Sequence, residues 1–256
     1  MNKSTPIFTF LSLIVFSWSL TAESSRELNF LQGKFNPAKT SEFKKIPNRL
    51  SIKKSIFLQK QTIKAFDNMS KAAKKDGINL YILSATRNYY TQKYIWEAKY
   101  AGKRKSNGIN LKKNFPDGQT RTYKILEYSS MPGTSRHHWG TDIDISFRKN
   151  SSSGMLINRT YESGEGKKVY DWMNNNAARF GFCQPYKGHP KKRTNGDYTL
   201  GYQAEKWHWS YFPISSKYTS RYEKLAQKLI PDGFSGAQFG KKIFLQYVLN
   251  ISDSCR

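Results

Sequence analysis

The sequence predicts an α+β domain, and three observations carry that reading. Apolar residues recur at helical spacing early and late in the chain. Short runs rich in strand-forming residues cluster between them. No regular strand–helix alternation runs through the chain, which disfavours a doubly wound parallel sheet.

In chain order, Lys3 precedes an apolar run from Pro6 to Leu20, polar residues begin at Thr21, and Ala22 is the small residue before the expected cut. Basic start, apolar core and small-residue end make a secretory signal over residues 1–22. The run is short for a membrane span, and Ser12, Ser17 and Ser19 dilute it; an uncleaved anchor is the alternative. Residues 23–50 are polar, punctuated by Pro37 and Pro47, and read as an irregular N-terminal extension.

Residues 51–75 read as a helix, with Ile56, Ile63, Phe66, Met69 and Ala73 on one face and Gly77 as its stop. Residues 80–84 read as a strand and 89–100 as a second helix. Residues 101–134, rich in Gly and Pro, read as a long loop, functional or mobile. Residues 141–147, 182–186 and 207–212 read as strands, and 166–180 as a helix. Two C-terminal helices are expected over 217–230 and 235–249, separated by Pro231-Asp232-Gly233. The domain organisation is then a signal (1–22), an extension (23–50), a catalytic domain (51–215) and a C-terminal helical extension (216–256).

Lysine and arginine total 43 against 18 acidic residues, a formal net charge of +25. Such a charge speaks of anionic partners rather than of fold. No nucleic-acid-binding signature accompanies it, and clusters such as Lys103-Arg104-Lys105 and Lys191-Lys192-Arg193 are scattered. Export leaves anionic cell-wall polymers as the partners within reach. It also permits a disulfide, and Cys183 and Cys255 either pair or remain two free thiols.

Four histidines are present, and two stand in informative company. One lies in Ser135-Arg136-His137-His138-Trp139-Gly140-Thr141-Asp142-Ile143-Asp144, the other in Glu205-Lys206-Trp207-His208-Trp209. A catalytic zinc takes three protein ligands, keeps one position for water, and needs a nearby carboxylate that is not a ligand. His137, His208 and an aspartate supply the ligands, and Glu205 the base. Asp142 and Asp144 share one strand face, so geometry alone leaves either as the third ligand. Trp207 and Trp209 would face the core opposite His208, and Glu205 requires a bend near Lys206. His189, beside Pro190, reads as an exposed residue without a role.

The ordered segments Ser135-x-His137-x-x-Gly140-x-x-x-Asp144 and Glu205-x-x-His208-Trp209, with Ser84-Ala85-Thr86-Arg87 and Gln92 upstream, resemble the VanY-type D-alanyl-D-alanine carboxypeptidases. The resemblance spans residues 51–212. It implies a hedgehog-like α+β fold, with a small central antiparallel sheet carrying a zinc site and helices flanking it. It also implies zinc held by His137, Asp144 and His208, and Glu205 as general base. Arg87 would bind and polarise substrate near the scissile bond, while Gln92 and Ser135 would line the substrate site. The implied function is a periplasmic or envelope peptidoglycan D,D-carboxypeptidase acting on stem peptides. The alternatives are an endopeptidase, an L,D-carboxypeptidase, or a non-catalytic wall- or polyanion-binding protein. One departure stands out: Asp142 occupies a position where the family often has alanine.

Overall fold

The computed structural model describes residues 25–152, 154–188 and 201–256. The expected signal segment, His189 and the Lys191-Lys192-Arg193 cluster lie outside the described residues. Residues 25–31 form a helix (α1). It is followed by an antiparallel ribbon of β1 (Phe43–Lys45) and β2 (Phe57–Gln59). Helix α2 (Lys60–Lys75), strand β3 (Tyr81–Ser84), helices α3 (Tyr89–Tyr100), α4 (Leu111–Asn114) and α5 (Gly118–Leu126), and strand β4 (Asp142–Ser146) come next. Then come α6 (Gly164–Asn176), β5 (Phe182–Cys183), β6 (His208–Tyr211), α7 (Phe212–Lys224), α8 (Ala237–Gly240) and α9 (Phe244–Leu249). Strands β3 to β6 form one antiparallel sheet in the order β3-β4-β6-β5. This is the expected small antiparallel sheet among helices.

Strand β4 reads Asp-Ile-Asp-Ile-Ser, and its alternation sorts the two faces of the sheet. Ile143 and Ile145 join a core with Phe66, Met69 and Ala73 of α2, Val169 and Met173 of α6, and Trp207 and Trp209. The tryptophans beside His208 are therefore in the core, as expected. Asp142, Asp144 and Ser146 take the opposite face. Helix α7 closes part of that face, because Ser215 Oγ lies 2.9 Å from Ser210 Oγ and Thr219 Oγ1 accepts from Arg136. A second core lies on this side, with Trp96 of α3, Ile125 of α5, Trp139, and Tyr222 of α7. The polar face is thus sealed between two cores.

Several elements differ from the sequence expectation. The helix expected over residues 51–75 begins at Lys60, because Phe57–Gln59 pairs with β1 instead. The expected loop over 101–134 contains α4 and α5, whose starts are capped by Asn110 and Asp117 side chains accepting from Lys113 N and Thr120 N. Helix α7 starts earlier than expected, at Phe212, with Pro213 in its first turn, where a missing N–H costs nothing. The helix expected over 235–249 divides into α8 and α9. The strand expected over 182–186 shortens to Phe182–Cys183, the residues paired with β6. The extension is not irregular throughout: α1 and β1 lie in it, and Leu31 and Phe43 are buried.

Cys183 and Cys255 are disulfide-bonded, tying the C-terminus to β5. No helix among the described residues is long and apolar enough to cross a membrane.

Candidate active site

Strands β4 and β6 run in a register that sets Asp144 opposite His208 and Asp142 opposite Ser210. His137 arrives from the 3-10 turn Arg136–Trp139, which ends at Gly140 in the left-handed region (φ 70°). A Cβ at Gly140 would stand 2.2 Å from Phe43 Cε1, so both conformation and space demand glycine.

The two imidazoles are oriented by partners that leave one nitrogen each for the site. His137 Nδ1 donates to the Ala85 carbonyl (3.0 Å), which leaves Nε2 facing Asp144 Oδ1 at 3.3 Å. Burial, helped by the Arg87 charge and opposed by Asp144, holds His137 down at about 4, so it is neutral. His208 Nε2 faces Asp142 Oδ1 at 3.0 Å. The carboxylate can only accept, so this nitrogen carries the proton and Nδ1 turns to the site. Nδ1 lies 3.7 Å from Asp144 Oδ1 and 3.0 Å from Glu205 Oε2. Burial lowers the His208 pKa, but hydrogen bonds to Asp142 and Glu205 prevail and raise it to about 9. The Tyr186 ring packs edge-on against this imidazole, at 4.9 Å between centroids.

One donor atom from each of His137, Asp144 and His208 lies within 4.8 Å of the others, and all three residues are buried. Four-coordinate zinc-type bonds of about 2.0–2.1 Å set ligand atoms roughly 3.3 Å apart, close to the spacing seen. His137 Nε2 and Asp144 Oδ1 are buried without hydrogen-bond partners. Orphaned acceptors of this kind are costly unless something electropositive meets them. Two nitrogens and one carboxylate oxygen fit a three-ligand metal centre with an open position.

Asp142 has a different place. Its Oδ1 accepts from Arg136 Nε (3.1 Å) as well as from His208, and its Oδ2 accepts from Thr141 Oγ1 (2.7 Å) and Ser210 Oγ (3.0 Å). Every lone-pair direction is engaged, so Asp144 and not Asp142 joins the cluster. Burial acts to raise the Asp142 pKa, yet Arg136 and His208 hold it well below the ordinary range. The same contest at Asp144, with His137 as the chief opposing partner, ends below the ordinary range too.

Glu205 stands on a turn. His208 N donates to Glu205 O (3.1 Å), which is the bend expected near Lys206. Gln184 Nε2 also donates to Glu205 O, and Asn158 Oδ1 accepts from Lys206 N, so the turn is braced on both sides. Arg87 follows β3, with Nη2 at 3.9 Å from Asp144 Oδ2 and a buried, unpartnered Nε. Gln92 is fully buried beneath it, accepting from Arg87 Nη1 (3.1 Å) and donating to Ser130 O (2.7 Å). His138 Nε2 accepts from Gly133 N, so its Nδ1 donates to Arg87 O (2.6 Å) and clamps that backbone. Ser135 is buried at the start of the turn that carries His137. An open cleft of about 890 Å³ runs over Asp144, Glu205 and Arg87 and is lined also by Lys99, Arg104, Tyr128 and Leu156.

Residues 55–214 match the family model described as VanY, D-alanyl-D-alanine carboxypeptidase. The chain belongs to this family. Within the VanY family, it is 31% identical over 156 residues to the Bacillus subtilis (strain 168) protein YodJ, covering 60% of this chain and 46% of the relative. It is 27% identical over 168 residues to a D-alanyl-D-alanine carboxypeptidase of Enterococcus faecalis, covering 66% of this chain and 50% of that one. The matched region is about half the length of these curated relatives. Among solved structures, VanYB in complex with D-alanine-D-alanine aligns with a TM-score of 0.49 at 23% identity, over 75% of this chain and 91% of that chain.

The VanY motifs therefore converge here: Arg87, His137, Asp144, Glu205 and His208 meet in one place, with Gln92 behind Arg87. Sequence reasoning missed the Arg136–Asp142 pair behind His208, and it missed Lys99. Arg136 sits inside the motif quoted for His137. Lys99 lies two helical turns after Gln92 on α3, and that spacing was its only signal.

Proposed function

We propose that this VanY-family chain is a zinc-dependent D,D-carboxypeptidase that releases the terminal D-alanine of peptidoglycan stem peptides. The observation that carries the reading is the buried His137–Asp144–His208 cluster, with His137 Nε2 and Asp144 Oδ1 left without partners, and with the non-ligand carboxylate of Glu205 beside it on an open cleft. His137 Nε2, Asp144 Oδ1 and His208 Nδ1 would hold the zinc. Zinc bound there would supply Lewis acidity, activating water near neutral pH and polarising the scissile carbonyl.

The chain's own residues supply the rest. Glu205 takes the proton of the attacking water and returns it to the departing amine. The Arg87 guanidinium, aimed by Gln92 and fixed in its backbone by His138, faces the carbonyl oxygen as negative charge develops there. Asp142 fixes a proton on His208 Nε2 and so turns Nδ1 towards the metal position. The net charge of +25 favours encounter with anionic wall polymers. The signal pattern of residues 1–22 and the Cys183–Cys255 disulfide support export to the periplasm or envelope.

The test is mass spectrometry of a stem pentapeptide ending in D-Ala-D-Ala, incubated with the protein, with and without a zinc chelator. Loss of one alanine, blocked by chelator and restored by zinc, is expected. Glu205→Ala should retain zinc and lose turnover. An untouched peptide in the presence of bound zinc, or full turnover by Glu205→Ala, would overturn the reading.

A further inference from the structure

A carboxypeptidase must distinguish a chain end from a chain middle, and the chain end carries a carboxylate that an internal peptide bond lacks. The metal cluster and Glu205 act on the scissile bond and cannot make that distinction. Arg87 lies against Asp144 and is committed to the reacting centre. A further cation in the same cleft would make the distinction; Lys53, Arg104, Lys105 and Arg159 line it as exposed side chains, and Lys99 is the buried one.

Lys99 lines the cleft with Asp144, Glu205 and Arg87, yet it is only 8% exposed. The partner of its ammonium is the Ser129 hydroxyl at 2.5 Å, and among the described residues it forms no ion pair. A lysine this buried is normally paired with a carboxylate. Burial, assisted by Arg104 and Arg87 and opposed by Glu205, holds its pKa at about 8, so the ammonium remains charged at neutral pH. Lys99, Arg87 and Glu205 line the same cleft.

The surroundings are built to hold this cation in place. Gln92 and Lys99 stand two turns apart on the buried side of α3. Gln92 bonds Ser130 O and Lys99 bonds Ser129 Oγ, so one short segment braces both. Gln92 in turn holds Arg87. One face of α3 thereby fixes two cations that line the cleft, Arg87 through Gln92 and Lys99 directly. A carboxylate bound at Lys99 would gain a charge-assisted hydrogen bond away from bulk water, where such bonds are strongest.

We propose that Lys99, supported by Ser129, binds the C-terminal carboxylate of the peptide substrate and thereby restricts the enzyme to chain ends. This rests on the carboxypeptidase reading above and names the residue that makes it an exopeptidase.

The test compares a stem pentapeptide ending in a free D-alanine acid with the same peptide ending in D-alanine amide. Wild-type protein is expected to favour the acid in kcat/KM by about 30-fold or more, the range of a hydrogen bond to a charged group. Lys99→Met should collapse that acid-to-amide ratio towards one, and Lys99→Arg should keep most of it. The ratio is the readout because damage to α3 packing lowers both substrates together and leaves it unchanged. If Lys99→Met does not fold, the ratio in Lys99→Arg and Ser129→Ala carries the test: retention in the first and a narrowed ratio in the second are expected. An unchanged ratio in Lys99→Met, or a wild-type protein indifferent to amidation, overturns the proposal. If the wild type cleaves neither peptide, the carboxypeptidase reading fails. Calorimetric binding of the same two peptides then decides the Lys99 proposal separately: tighter binding of the acid, lost in Lys99→Met, supports it, and equal binding overturns it.

Discussion

Asp142→Asn is the perturbation that best separates how the site is held together from what it does. The carboxylate is fully buried and accepts from four donors: Arg136 Nε, His208 Nε2, Thr141 Oγ1 and Ser210 Oγ. Asparagine has nearly the same shape. Its oxygen can face Arg136 and His208, while its amide donates to hydroxyls that rotate to accept. The hydrogen bonds can thus be largely kept, and what disappears is the charge. Arg136, itself unexposed at the side chain, then lacks its counter-ion. Leaving one partner of a buried pair uncompensated costs about 3–5 kcal/mol. For a protein of this size that lowers the melting temperature by roughly 6–20 °C. His208 also loses the carboxylate that fixes its tautomer, and zinc affinity should fall about 10- to 100-fold. Thermal unfolding and competition against a chromophoric chelator read the two effects. Adding Arg136→Met removes the stranded charge and should restore most of the stability while zinc affinity stays weak. Wild-type melting and wild-type zinc affinity in Asp142→Asn would refute this account of the site.

Other outcomes follow from the same geometry. In the metal-free protein His208 is held at about 9 and His137 at about 4, so between those values zinc displaces one proton, from His208 Nδ1. Zinc affinity should therefore rise about tenfold per pH unit as pH increases through neutrality and level off above the His208 value; a flat profile from pH 6 to 8 would contradict the assignment. Gly140→Ala brings a Cβ to 2.2 Å from the Phe43 ring at a positive φ. It should destabilise the fold by about 2–4 kcal/mol in denaturant titration and loosen the link between His137 and Asp144. Replacing Cys183 and Cys255 by serine opens a link spanning 72 residues. Unfolding in urea should register a loss of about 2–4 kcal/mol.

Sequence reasoning reached the site further than it reached the elements around it. His137, Glu205 and His208 were legible because each lies within a short segment whose internal spacing is set by a turn or a strand; Asp144 was singled out from Asp142 only by the family resemblance. The start of α2 was not legible: Ile56, Phe57 and Leu58 suit a helix face or a strand equally well. Pairing with Phe43–Lys45 decided the matter, and no local pattern announces that partner. Residues 101–134 misled for a related reason. Their glycines and prolines suggested an unbroken loop, while the caps Asn110 and Asp117 that start two short helices passed for ordinary loop residues.

Asp142 shows where spacing stops being informative. Period two puts Asp142 and Asp144 on one strand face, and nothing within β4 ranks them. The ranking comes from what stands opposite. Register gives Asp144 the neighbour His208 and gives Asp142 the neighbour Ser210, and Thr219 of α7 reaches in to hold Arg136. Arg136 and Asp142 are then one feature rather than two. A carboxylate in place of the alanine often found at that position in the family could not remain ionised in a sealed interface by itself. A guanidinium six residues earlier neutralises it at Oδ1, and the same oxygen orients the His208 ring. The two charges stand or fall together, which is why Arg136→Met added to Asp142→Asn removes the cost of the stranded charge and leaves the loss in metal binding to be read by itself.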